Sequence, residues 1–158
     1  MFLIDGHNLL WAVQGTAEGS KPLTDVELCA AVGRHLKKAN QSGEIVFDGT
    51  GPRDKSEFDK IDGVEVLFGG LGIDADTIIE GKIKANTAPR QLTVVSSDNR
   101  LRRAARARRA ISVKSEDFWS GLVKELGRKE RVDEPGGKVN GLSDGETDQW
   151  LDYFGIDA

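Results

Sequence analysis

The chain has one cysteine, Cys29, in 158 residues. That excludes an internal disulfide and any thiolate-rich metal site, and fits a reducing cytoplasm. Cys29 shares a helix face with Val32 and Leu36, so it reads as a small core residue. Long apolar runs are missing too. None approaches the roughly 20 residues that cross a bilayer, so no membrane segment is expected. Met1 leads straight into Phe2-Leu3-Ile4 without the basic stretch and apolar core of a secretion signal, so the N terminus reads as a first strand. No internal repeat is visible. These scarcities leave a cytoplasmic protein of one domain and a tail, long enough to bury roughly 70% of its unfolded surface.

What is present is an alternation of short apolar runs with helical periodicity, the pattern of βα units on a parallel sheet of about five strands. Strands are predicted at about residues 1–5, 44–48, 63–68, 91–97 and 110–113. A helix over about 25–40 opens on Thr24-Asp25-Val26-Glu27, a capping box, with Val26, Cys29, Val32, Leu36 and Ala39 as its inward stripe. Asp74 is placed to cap a helix running to about 86. Asn99–Ala107 reads as the next helix, and Ser115 caps a last one carrying Phe118, Trp119, Leu122, Val123 and Leu126. The core domain then spans residues 1–127. Residues 128–141, polar and centred on Pro135-Gly136-Gly137, read as a flexible linker. Residues 142–158 read as a short acidic helix with Trp150, Leu151 and Phe154 on one face, which must dock on its own core or on a partner.

Several apolar runs end in an acid: Phe2-Leu3-Ile4 in Asp5, Ile45-Val46-Phe47 in Asp48, and the run through Ser96-Ser97 in Asp98. Asp74, Asp76 and Glu80 open the helix after another run. Parallel strands end on one edge of the sheet, so these side chains converge on one crevice. Two carboxylates roughly 4 Å apart repel by about 4 kcal/mol at an effective dielectric near 20, so the cluster calls for a cation or a shared proton. Asp5, Asp76 and Asp98 form the expected inner set, with Asp48 and Glu80 outside it and Asp74 as a helix cap. In Asp5-Gly6-His7-Asn8, Asp5 and Asn8 supply an anionic oxygen and an amide for a metal or its water; the plainer reading is an Asx turn. His7 reads either as a general base or phosphate contact or as a solvated loop side chain, and His35 as structural.

Two tempting motifs fail on their surroundings. Asp48-Gly49-Thr50 resembles a phosphatase signature, but Val46 occupies the nucleophile position. Gly70-Leu71-Gly72-Ile73-Asp74-Ala75 has the spacing of a dinucleotide fingerprint, yet Asp74 and Asp76 put negative charge where a pyrophosphate would bind, so Gly69–Gly72 reads as a flexible loop. The net charge of −4 hides a strong asymmetry. From Asn99 to Ser115 there are seven bases (Arg100, Arg102, Arg103, Arg106, Arg108, Arg109, Lys114) and no acid, leaving −11 for the rest. With no interleaved acids for i, i+4 pairing, this run reads as a polyanion-binding surface.

Asp5-Gly6-His7-Asn8, Val46-Phe47-Asp48, Ala75-Asp76-Thr77-Ile78-Ile79-Glu80 and Ser96-Ser97-Asp98, in that order over residues 1 to about 126, resemble the YacP-like branch of the NYN domains, relatives of the PIN-domain nucleases. The family commonly has Tyr where this chain has His7. The resemblance implies a three-layer α/β/α Rossmann-like sandwich and a Mg²⁺- or Mn²⁺-dependent endoribonuclease, with some members acting on messenger RNA at the ribosome.

Residues and resemblance together lead to metal-assisted hydrolysis of RNA phosphodiester bonds. Asp5, Asp76 and Asp98 would hold the ion, hard oxygen ligands favouring Mg²⁺ or Mn²⁺ over zinc. Asn8 would orient a metal water or a phosphate oxygen, and Arg100, Arg102, Arg103 and Arg106 would hold the RNA backbone. Few aromatics lie near these residues in the sequence, so base stacking is not evident. The alternative is a non-catalytic RNA- or ribosome-binding module of the same fold, which would gain nothing from clustered carboxylates.

Overall fold

Ile45, Val46 and Phe47 are all fully buried, as a run of apolar residues must be in a strand covered on both faces. In the computed structural model, which describes residues 1–16 and 23–132, they belong to the second of five strands: β1 (Phe2–Asp5), β2 (Gly43–Phe47), β3 (Glu65–Phe68), β4 (Thr93–Val95) and β5 (Ile111–Val113). The sheet has the order β3-β2-β1-β4-β5 and every pairing in it is parallel. Six helices complete the described fold: α1 (Gly6–Thr16), α2 (Asp25–Lys38), α3 (Ser56–Asp59), α4 (Ala75–Ala85), α5 (Asn99–Ala107) and α6 (Ser115–Val132).

Two apolar clusters sandwich the sheet. On one face Leu9 and Val13 of α1, Leu28, Val32 and Leu36 of α2, and Phe118, Trp119 and Leu122 of α6 pack with Ile4, Ile45 and Phe47. On the other, Ile79 and Ile83 of α4 and Leu101 and Ala105 of α5 pack with Leu3, Val46 and Val94. Alternate residues of β1 and β2 thus serve opposite layers, as the period of two requires. The chain moves outward from β1 to β2 and β3, then returns to the other side of β1 with β4. The direction of winding reverses between β1 and β4, and a crevice opens there beyond the strand ends.

The capping box of α2 is formed in full, Thr24 Oγ1 accepting from the Glu27 amide while Glu27 Oε1 accepts from the Thr24 amide. Four details differ from the sequence reading. Residues 6–16 form α1 directly after β1, where a turn was expected. Ala39 is exposed at the end of α2, and Leu28 and Ala31 join Cys29, Val32 and Leu36 on its buried side. Ser115 starts α6, but its hydroxyl donates to Asn8 and caps nothing. α6 continues to Val132, into the segment read as a linker from residue 128. The remainder of that segment and the helix expected over 142–158 lie outside the described residues.

Candidate active site

Gly6 lets α1 start hard against the sheet. A Cβ there would stand 2.5 Å from the Phe47 ring, so close approach is what selects glycine at this position. The first turn of α1 then overhangs the crevice, with His7 turned toward the end of β2 and Asn8 toward the end of β4. The Nδ1 atom of His7 accepts from the Asp48 amide at 3.3 Å and lies 3.5 Å from Asp48 Oδ2. One nitrogen cannot accept from the first and donate to the second. While Nδ1 accepts the backbone bond, the hydrogen of the ring is on Nε2.

Asp5 is the anchor of the site, 5% exposed at the end of the central strand. Its Oδ2 accepts from the Ser96 hydroxyl at 3.2 Å, and the same hydroxyl accepts from the Asp98 amide at 3.1 Å. Burial, and next the charge of Asp76, push the Asp5 carboxyl up to about 6. Asp76, in the first turn of α4, is itself raised, first by burial and then by Asp98 and Asp74. The charge of Asp76 therefore reaches Asp5, and that of Asp98 reaches Asp76. Asp98 occupies the N-cap of α5, where a single oxygen, Oδ1, takes the Arg100 and Leu101 amides at 2.8 and 3.4 Å. These bonds leave its other oxygen for the crevice.

The other acids divide by what they hold. Asp74 caps α4 by accepting from the Thr77 amide at 2.8 Å, and the Thr77 hydroxyl first, then this amide, lower its carboxyl. Asp48 Oδ1 accepts from the Ala75 amide, so this acid ties the end of β2 to the start of α4 while its charge reaches Asp5 and Asp76. Two carboxylates thus fill the N terminus of α4, where the dinucleotide reading would have put a pyrophosphate. The preceding loop is pinned, not loose: the Gly70 amide donates to Gly49 O at 2.9 Å, and Gly70 and Gly72 take positive φ. Glu80 pairs with Arg100, at 3.2 and 3.4 Å, and with Lys84 at 3.8 Å.

Asn8 is held more firmly than its motif suggested. Its Oδ1 accepts from the Ser97 amide at 2.9 Å and the Ser115 hydroxyl at 2.6 Å. With the oxygen engaged twice, the amide orientation is fixed and Nδ2 is the free end, a donor suited to an anionic oxygen and not to a metal. Behind it, Ser97 Oγ accepts from the Ser115 amide at 3.0 Å and donates to Glu116 at 2.8 Å. Glu116, Ser97 and Ser115 were not singled out from sequence as site residues. Only the Ser96-Ser97 pair carried a signal, as part of the motif ending in Asp98.

The arginines also divide. Arg100 is engaged by Glu80 beside the crevice, and Arg108 donates to Asn86 O at 2.6 Å. Arg103 and Arg106 are exposed on the outer side of α5, and Arg102 is partly covered. Among the described residues no three His, Cys, Asp or Glu side chains form a ready cation site. The chemistry of the donors nevertheless suits a hard divalent ion: carboxylates from three elements, one of them buried and pushed toward protonation first by that burial and then by Asp76, with no thiol or imidazole among them.

An open parallel sheet with acids gathered at its switch point is an α/β domain of nuclease-like fold. The chain belongs to the YacP-like NYN domain family, whose model matches residues 2–145. Two solved structures of Rae1 (YacP) from Bacillus subtilis share the fold. One matches at a TM-score of 0.63 and 20% identity, over 98% of this chain and 91% of that one. The other, a W164L mutant, matches at 0.58 and 18%, over 94% and 98%. No curated protein sequence matches. NYN and PIN-like nucleases generally use divalent metals, and no helix among the described residues is long and apolar enough to cross a membrane.

Proposed function

We propose that the protein is a cytoplasmic endoribonuclease dependent on Mg²⁺ or Mn²⁺, hydrolysing RNA phosphodiester bonds. The observation that carries this reading is Asp5: a buried carboxyl on the central strand, raised to about 6 by burial and by Asp76. A structural role would not need a second acid whose charge reaches it, whereas a cation would relieve both. Asp5, Asp76 and Asp98 would hold the ion, Asp98 through the oxygen not engaged by α5. When bound, the ion supplies an activated water and neutralises charge on the scissile phosphate. Asn8 directs its fixed Nδ2–H bonds at a phosphate oxygen, and His7 presents Nε2–H from the opposite side of the same helix turn. Arg103 and Arg106 attract the backbone of the strand from α5, while Arg100 acts at the crevice from its pairing with Glu80. The NYN resemblance makes messenger RNA at the ribosome the substrate to try first.

Incubation of RNA with Mn²⁺ and the wild type or Asp98→Asn tests the assignment. Cleavage by the wild type and a loss of at least about 100-fold in the variant are expected; equal cleavage in both would sink it. A non-catalytic RNA-binding module predicts binding that survives in both proteins without cleavage in either.

A further inference from the structure

Trp11 is 75% exposed, in a protein that buries Trp119 to 4%. It lies on α1 opposite Leu9 and Val13, which carry that helix into the core. Single exposed apolar residues are common, so exposure alone would mean little; its position is what distinguishes this one. His7 and Trp11 are four residues apart and share a helix face. His7 fixes where that face looks: its Nδ1 is bonded to the Asp48 amide and its ring stands edge-on to Phe47, centroids 5.1 Å apart. Long side chains on a helix lean back toward its N terminus, over the preceding turn. Helix spacing thus places Trp11 about one 5.4 Å turn along that face from His7. That is comparable to the distance from a nucleotide's phosphate to its own base. No ring or cation among the described residues stacks on it.

We infer that Trp11 is a stacking platform for a base of single-stranded RNA lying across the crevice. The inference rests on the ribonuclease reading and adds to it the form of the substrate, an unpaired strand. A duplex, whose bases are stacked on one another, offers no free face to the indole, and stacking is tolerant of base identity. Acids and cation, Asn8 and His7 would then take the phosphate, and Trp11 the adjoining base.

The test measures binding of the full chain, with Ca²⁺ in place of Mn²⁺ so that the acids are neutralised without cleavage, to a short oligoribonucleotide and to the same oligomer with abasic positions. Trp11→Ala should weaken binding of the intact strand about 5- to 100-fold, the range of one lost base stack. Trp11→Phe should keep most of the affinity. On the abasic strand the wild type and Trp11→Ala should bind alike, and the intact strand should quench an emission that the variant lacks. Equal affinity of the wild type and Trp11→Ala for the intact strand, or an equal loss on both strands, overturns the inference. If the wild type cleaves RNA while Trp11 proves indifferent, only this inference falls. If the wild type binds no RNA at all, the ribonuclease reading falls with it.

Discussion

At the scale of the residue, the site consists of polar groups whose second atoms are already committed. Asn8 is the clearest case, with its oxygen engaged by Ser97 and Ser115. Asn8→Asp keeps both bonds but replaces two donors with an acceptor. RNA cleavage should fall at least about 10-fold as the charge-assisted contact to phosphate is lost, and the urea midpoint should fall too, because a further carboxylate then stands beside Asp5. Asp5 makes a second prediction. Its folded carboxyl is raised from 3.8 to about 6, so the protonated form favours folding. That contribution is complete below pH 3.8 and lost as pH rises through about 6. The loss amounts to about 3 kcal/mol, from the linkage between the two values. Urea unfolding of metal-free protein at pH 4.5 and 7.5 should show most of that loss in the wild type and little of it in Asp5→Asn; parallel pH profiles would contradict the burial of this acid.

At the scale of the element, α1 and α5 carry the functional surfaces. Gly6→Ala would drive a methyl into the Phe47 ring, and overpacking of this kind costs about 1–3 kcal/mol. A lowered urea midpoint, together with weaker cleavage as His7 and Asn8 are displaced, is the expected result. On α5, replacing Arg103 and Arg106 together should weaken RNA binding about equally for all sequences. It should also flatten the plot of log affinity against log salt by about 1.4, two single-strand phosphate contacts. How far these elements can be read from sequence differs. Asn99–Ala107 is legible to the residue as a helix, whereas the cap that Asp98 supplies to it shows only in the structure, the sequence having pointed to Asp98 as a strand-end carboxylate. α1 is not legible, because Gly6-His7-Asn8 has the composition of a turn and Leu9 and Val13 are its only buried apolar side chains. Losing α1 also hid Trp11, because only a helix puts it one turn from His7.

At the scale of the whole molecule, the fold class and the positions of the acids follow from the alternation of strands and helices, since apolar run, acid and helix repeat down the chain. Partnerships across that repeat do not. Asp48 bonds Ala75, 27 residues on, Glu80 bonds Arg100, 20 on, and Ser97 bonds Glu116, 19 on. Each depends on which strands become neighbours, and the reversal of winding at β1 decides that. The proposed ion would link the stability of the assembled crevice to metal. Mn²⁺ at about 100 times its dissociation constant should stabilise the fold by about 2.7 kcal/mol. EDTA should reverse the gain, and Asp76→Asn should show much less of it. A shift equally large in that variant would place the ion elsewhere.

The central strand has one more consequence. β1 is hydrogen-bonded to β2 on one side and β4 on the other, so its amides exchange with solvent only when the whole sheet opens. Asp98, by contrast, sits at the start of a helix whose first turn can fray without disturbing that sheet. The crevice therefore pairs a stationary jaw with a moving one. In deuterium exchange the amides of Leu3 and Ile4 should be among the slowest in the chain, and those of the first turn of α5 should respond most to an added divalent ion.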